Sequence, residues 1–176
     1  MAIPLIPTVY ASQRLTSWRH FHVVEEGHLY RSGQLTPDVL DRVIHDHKIK
    51  IIVCLRNLAR EGDNRLENSE ELWCAARGID YVRLNPADWN TEGGRANLEA
   101  FLHTVKNSRD GAILIHCFAG LHRTGVYCAI FRMECEGWSN DEAIAEMYAI
   151  GYFQEDPSAL QFLRSYVPRG ARFARR

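Results

Sequence analysis

One stretch constrains this chain more than any other: Ala112-Ile-Leu-Ile-His116-Cys117-Phe-Ala-Gly120-Leu-His122-Arg123-Thr124-Gly125. Gly111 precedes an apolar run rich in β-branched residues, which reads as a buried strand, and from Arg123 onward the apolar spacing becomes helical. A strand that feeds a helix through a short loop is a geometry that binds anions. The amides of Phe118, Ala119, Gly120, Leu121, His122 and Arg123 are expected to curl around a tetrahedral oxyanion, with the helix N-terminus adding about half a positive charge. Gly120 permits a backbone conformation that other residues resist.

The side chains fit such a loop. Cys117 is placed at its mouth, where a helix N-terminus and a nearby cation favour the thiolate, the nucleophilic form. Arg123 offers a planar fork for two phosphate oxygens, which lysine lacks. The Thr124 hydroxyl is positioned by sequence to donate to the thiolate or to the departing sulfur. A nucleophile, an oxyanion binder and a leaving-group stabiliser thus lie within one short segment. Cys54-Leu-Arg-Asn-Leu-Ala-Arg60 repeats the Cys-to-Arg spacing, but it has no glycine and runs into the polar stretch Glu61-Gly62-Asp63-Asn64 instead of opening a helix.

Along the chain, residues 1–20 carry Pro4 and Pro7 without a sustained period and are expected to form an extended lead-in. Phe21–Val24 and His28–Arg31 flank Glu25-Glu26-Gly27 and predict a hairpin at a sheet edge. Thr36-Pro37 starts an amphipathic helix to about His47, in which His45 and His47 cannot share a face, so a metal pair is not expected. Ile49–Leu55 reads as a buried parallel strand. Residues 65–77 predict a helix with Leu66, Leu72, Trp73 and Ala76 inward and Gly78 as its cap. Ile79–Leu84 is the next strand, followed by a glycine-containing loop from Ala87 to Gly94 that reads as mobile. A helix from about Arg95 to Asn107, the strand at 112–116 and the central helix, opened at Arg123 and completed by Val126 to Glu136, continue the strand–helix alternation. Ser139-Asn-Asp-Glu142 is a capping box for a helix to Ile150, and Asp156-Pro157 opens a last helix to Tyr166. The expected fold is α/β, with a mostly parallel twisted sheet of about four or five strands flanked by helices, as one domain over 1–176.

The stretch at 112–125 resembles the His-Cys-x5-Arg-Ser/Thr signature of cysteine-dependent protein tyrosine and dual-specificity phosphatases. Tyr30-Arg31-Ser32-Gly33-Gln34 is similar to a segment of the atypical dual-specificity group of plants, fungi and bacteria. Arg31 is expected there as a structural residue that hydrogen-bonds carbonyls beneath the loop. The resemblance also implies a general acid, an aspartate about thirty residues before the cysteine. Asp88 meets that position, in a loop leaving the carboxyl end of a strand. Asp80 lies inside a strand, Glu92 lies further along the loop, and Asp156 reads as a helix cap. The implied reaction is hydrolysis of phosphomonoesters through a cysteinyl phosphate, with His116 oriented by backbone groups and tuning the thiolate, and with no metal or other cofactor. Some of the plant and fungal group hydrolyse inositol pyrophosphates, but they carry basic residues inside the loop where this chain has Phe118, Ala119 and Leu121. Protein phosphotyrosine or a small phosphomonoester is therefore the expected partner, ahead of inositol polyphosphates, with Arg56, Arg60 and Arg95 as candidate rim charges. A phosphate-binding module would dispense with nucleophile or acid, and a redox thiol enzyme would want a Cys-x-x-Cys pair that Cys54, Cys74, Cys128 and Cys135 do not form.

Composition sets the remaining bounds. At 176 residues, 46% hydrophobic and 24% charged, the chain can bury a core without staples. A net charge of −1 predicts no general affinity for nucleic acid, although 168–176 form a basic tail. No apolar run is long enough to span a membrane, and the N-terminal residues do not read as a signal peptide. Five cysteines, one of which must stay reduced, point to a reducing compartment and a cytoplasmic location, and a monomer is expected. Cys54 is a candidate to trap oxidised Cys117, provided that their strands pair and their side chains face each other; otherwise it is a core residue.

Overall fold

The computed structural model describes residues 18–56, 64–84, 88–108, 111–153 and 157–169, with only the backbone described over 64–69. The residues 1–17, Arg60, Pro86, Ala87, Asp156 and the tail from residue 170 lie outside that set.

Alternating apolar runs and helical stripes build a five-stranded sheet. The strands are β1 (His22–Glu25), β2 (Leu29–Ser32), β3 (Ile49–Cys54), β4 (Asp80–Arg83) and β5 (Ala112–His116), in the order β1-β2-β5-β3-β4. The hairpin β1–β2 is antiparallel and lies at the edge, while β2, β5, β3 and β4 run parallel. The helices among the described residues are α1 (Pro37–His47), α2 (Asn64–Ala75), α3 (Glu92–Asn107), α4 (Arg123–Cys135), α5 (Asn140–Ala149) and α6 (Pro157–Ser165). None is long and apolar enough to cross a membrane.

Two cores form because strand residues alternate faces. Val53, Leu55, Ile113, Ile115 and Cys117 pack with Leu98, Phe101 and Leu102 of α3 and with α4, α5 and α6. Ile52, Leu114 and Tyr30 pack on the other face with Val39, Leu40 and Val43 of α1 and with Cys74 of α2. Burial runs unbroken from Thr124 to Met133, so α4 is the central helix, wrapped on all sides.

Three local expectations are corrected. In α2, Leu72 is 70% exposed and Ala76 is exposed, while Glu70 and Cys74 are buried. The inward face is set by a carboxylate, so apolar spacing misphases the helix. α3 begins at Glu92, not Arg95, because Thr91 Oγ1 accepts from the Gly94 amide as an N-cap. Gly94 is required there: a Cβ would fall 2.2 Å from the Asp88 carbonyl oxygen. Thr36 is the N-cap of α1 in backbone conformation only, with no side-chain cap bond, whereas the Ser139–Glu142 capping box of α5 forms as expected.

Candidate active site

β5 delivers the chain to the loop at the sheet's centre, and His20 before β1, Arg31 in β2 and Gln34 after it hold that loop open. The carbonyl of Phe118 accepts from the Gln34 amide at 3.0 Å. That of Ala119 lies 2.7 Å from His20 Nδ1, and that of Gly120 accepts from Arg31 Nη2 at 2.8 Å. Three successive carbonyls therefore point out, and since a planar trans peptide sets N–H opposite to C=O, the amides of Ala119, Gly120 and Leu121 point in. The Gly120 amide donates to Cys117 Sγ at 3.2 Å. Gly120 has φ +80°, and a Cβ there would lie 2.3 Å from Gly33 N. Arg31, 1% exposed, is placed beneath the loop as a structural donor.

Cys117 is 3% exposed, on the floor of this cradle instead of at an open mouth. Arg123, the first residue of α4, donates from Nη1 to the Leu55 carbonyl at 2.6 Å, which fixes the plane of its guanidinium. The Thr124 hydroxyl is buried with no hydrogen-bond partner among the described residues. Leu121 is buried, and His122 is flanked by Phe153 and Tyr152, with ring centroids 4.6 and 5.7 Å away. Burial, then the charge of Arg123, lowers the His122 pKa, so its ring is neutral. Phe118 is the loop side chain that reaches solvent, at 48% exposed. The guanidinium of Arg19 lies 4.2 Å and that of Arg56 5.5 Å from its ring centroid. Arg56 is buried and bonded to Gln34 Oε1, Arg95 donates to the Asn90 carbonyl, and Arg19 is a cation that sequence reading overlooked. No local pattern marks Arg19, because its partners lie far along the chain.

His116 differs from expectation. Its Nε2 lies 3.2 Å from Glu70 Oε2, and no backbone group among the described residues bonds either ring nitrogen. Glu70 also accepts from Gln34 Nε2 at 2.8 Å and from Tyr81 Oη at 2.9 Å. Burial disfavours charge on the imidazole, but the charge of Glu70 and then of Cys54 outweighs it and raises the His116 pKa well above the ordinary range. Cys54, Glu70 and His116 place their donor atoms within 4.8 Å of one another, close enough to share a cation, although Glu70 already accepts two hydrogen bonds. β3 and β5 do pair, in the register Cys54↔His116. Cys54 therefore shares a face with His116, while Cys117 sits in the opposite core. The side chains of Cys54 and Cys117 do not face each other, so Cys54 is the core residue of the two readings.

Asp88 is exposed in the turn between β4 and α3. Its Oδ1 accepts from the Asn90 amide at 3.0 Å, and its carbonyl accepts from Thr91. The adjacent Trp89 packs on Tyr127 and Phe162, with centroids 5.7 and 5.8 Å apart. Tyr127 is one helical turn from Arg123, so this contact brings the turn to the loop end of α4.

Known proteins resemble this chain in sequence and in fold. The family described as "DSP-PTPase phosphatase fused to NAD+ Kinase" matches residues 1–160. Dual specificity protein phosphatase TpbA of Pseudomonas aeruginosa is 35% identical over 111 residues, covering 62% of this chain and 50% of that protein. The match thus spans about half the length of that relative. Tyrosine-protein phosphatase-like protein OCA2 of Saccharomyces cerevisiae is 27% identical over 138 residues, covering 78% of this chain and 68% of that protein. Among solved structures, P. aeruginosa TpbA in complex with pTyr has a TM-score of 0.69 at 20% identity, covering 90% of this chain and 91% of that one. The catalytic core of the S. cerevisiae PP-IP phosphatase SIW14 has a TM-score of 0.69 at 23% identity, covering 88% and 90%. These two structural likenesses establish the fold, and the family match over 1–160 carries the assignment: the chain belongs to the DSP-PTPase phosphatase family.

Proposed function

We propose that the protein is a cysteine-based phosphatase that hydrolyses phosphomonoesters, phosphotyrosine first. The carrying observation is the Gly120 amide aimed at Cys117 Sγ while the neighbouring carbonyls are tied outward. A phosphoryl group seated in the cradle meets inward amides and the guanidinium of Arg123, which stabilise the equatorial oxygens as charge develops. The Cys117 thiolate attacks phosphorus in line, and the bond to the leaving oxygen breaks as Asp88 donates its proton. Water then attacks the phosphocysteine, Asp88 takes the water's proton, the P–S bond breaks and inorganic phosphate leaves. Thr124, whose hydroxyl has no other acceptor among the described residues, donates to sulfur as the second bond breaks. The charge a metal would supply comes from amides and Arg123, so activity is expected to be metal-independent. A reduced Cys117 suits a reducing compartment, which supports a cytoplasmic location.

The exposed Phe118 ring beside the loop favours an aryl phosphate, while Arg19 and Arg56 about it add positive charge at the rim. The structures of SIW14, called a PP-IP phosphatase, and of PTPMT1 in complex with PI(5)P keep an inositol phosphate as the second reading. The test has two parts. Hydrolysis of p-nitrophenyl phosphate should persist in chelator and vanish in Cys117→Ser; loss in chelator alone refutes metal independence. A comparison of kcat/KM for a phosphotyrosine peptide, a phosphoserine peptide and an inositol pyrophosphate should rank them in that order, and a lead for the inositol compound reverses the choice.

A further inference from the structure

Arg19 precedes β1, yet its guanidinium lies over the ring of Phe118, the residue that follows Cys117, at 4.2 Å from the centroid. The backbone around it is anchored to the loop. The Arg19 carbonyl accepts from the Gly33 amide at 2.7 Å, and the next side chain, His20, meets the Ala119 carbonyl through Nδ1 at 2.7 Å. A carbonyl only accepts, so that nitrogen carries the proton. His20 has φ +48°, a left-handed conformation that a residue with a Cβ holds only where its surroundings impose it, and such strain gathers at active sites and ligand clamps. Gly33 and Ala119 thus fix one cation beside the loop. A guanidinium drawn over a ring face keeps its in-plane N–H donors for an anion. No ion pair among the described residues uses Arg19, whereas Arg56, the other cation at the Phe118 ring, is bonded to Gln34 Oε1.

We propose that Arg19 determines specificity among phosphotyrosine substrates: its guanidinium binds the carboxylate of an aspartate or glutamate that flanks the phosphotyrosine in a protein substrate. A carboxylate offers the two oxygens that a guanidinium fork meets bidentately. A second phosphate of a polyphosphate fits less well, because such a ligand calls for several cations and the loop from Phe118 to His122 holds no Lys or Arg. The phosphoryl group is then seated by Arg123 and the inward amides, and the flanking acid by Arg19, so that two anions of one peptide meet separate cations. The inference rests on the phosphotyrosine reading of the site, but it is tested by binding, without turnover.

Fluorescence anisotropy on Cys117→Ser, which keeps the cradle but lacks the nucleophile, compares two labelled phosphotyrosine peptides that differ only in carrying glutamate or glutamine on both sides of the phosphotyrosine. The glutamate peptide should bind about fivefold more tightly, the upper range for an exposed ion pair. Adding Arg19→Gln should bring the ratio to about one, while Arg19→Lys, with the charge but no fork, should leave it at about two. A merely structural Arg19 would weaken both peptides alike and leave their ratio unchanged. With Arg19 intact, the ratio should also fall toward one as salt rises from about 0.05 to about 0.5 M, since exposed charges are screened. Equal affinities for the two peptides, no binding of either, or a ratio unmoved by Arg19→Gln or by salt overturns the proposal. So does a larger loss of inositol pyrophosphate binding than of glutamate-peptide binding in Arg19→Gln, which would assign the subsite to a second phosphate. A glutamate preference that Arg19→Gln abolishes, in a protein that hydrolyses no phosphomonoester, would strike down the proposed function and leave this inference standing.

Discussion

A single methyl group at position 120 probes whether the loop is shaped by close approach of backbone to backbone. Gly120 has φ +80°, and its Cβ would fall 2.3 Å from Gly33 N, 2.5 Å from the Ser32 carbonyl carbon and 2.7 Å from the Ser32 carbonyl oxygen. Two costs add in Gly120→Ala: about 1–2 kcal/mol for a left-handed conformation, and about 1–3 kcal/mol for overpacking against backbone that cannot turn aside. Gly27→Ala isolates the first, since Gly27 has φ +73° and nothing within 4 Å of the added carbon. Urea unfolding should therefore show a loss of about 1–2 kcal/mol for Gly27→Ala and about 2–5 kcal/mol for Gly120→Ala. The activities should diverge further. Relief of the clash must push residue 120 away from Ser32 and Gly33, and its amide is the one bonded to Cys117 Sγ. A displacement of about 1 Å in such a group costs on the order of 10²-fold in rate. Gly27 lies in the edge hairpin and should leave kcat unaltered. If Gly120→Ala is no less stable than Gly27→Ala and keeps kcat/KM within about threefold, the account of the loop as held open by the 31–34 segment is wrong.

Asp88→Asn should remove the alkaline limb of the kcat profile and lower kcat by about 10²–10⁴ on phosphotyrosine, with a smaller loss on p-nitrophenyl phosphate; wild-type rates on phosphotyrosine would move the acid role elsewhere. Stability should depend on pH through the Glu70–His116 pair. The depressed carboxyl contributes above its unfolded pKa of 4.5, a contribution lost as pH falls toward about 2. The raised imidazole contributes below its unfolded pKa of 6.5, a contribution lost as pH rises through its folded value. Urea midpoints should thus be highest between about pH 4.5 and 6.5, and Glu70→Gln should flatten that dependence. Leu72→Lys should change stability by no more than about 0.5 kcal/mol because that side chain is in solvent, whereas Leu102→Ala in the core should cost about 2–5 kcal/mol. A large loss in Leu72→Lys would restore the apolar phase expected for α2.

The sequence alone determined those parts whose physics is local. The strand, loop and helix at 112–125, the glycine in the loop, the capping box at Ser139 and the hairpin about Gly27 all arise between residues a few positions apart, so spacing suffices to read them. Arg31 was legible as a structural donor through its family segment, and the structure gives it the Gly120 carbonyl. What depended on partners distant in sequence was decided by tertiary structure. Glu70 looks like a solvent-facing residue of an amphipathic helix until β5 brings His116 against it, and its burial turns α2 so that Leu72 faces water. The orientation of Cys54 depended on a strand register, Cys54↔His116, that no local pattern specifies. Gly93-Gly94 reads as a break, yet Gly94 lies inside α3, because a helix can pass that close to the Asp88 carbonyl only where there is no Cβ. Apolar periodicity reports which side chains avoid water; it is silent on a charge buried to meet another charge, since that benefit exists only once the chain has brought the two together.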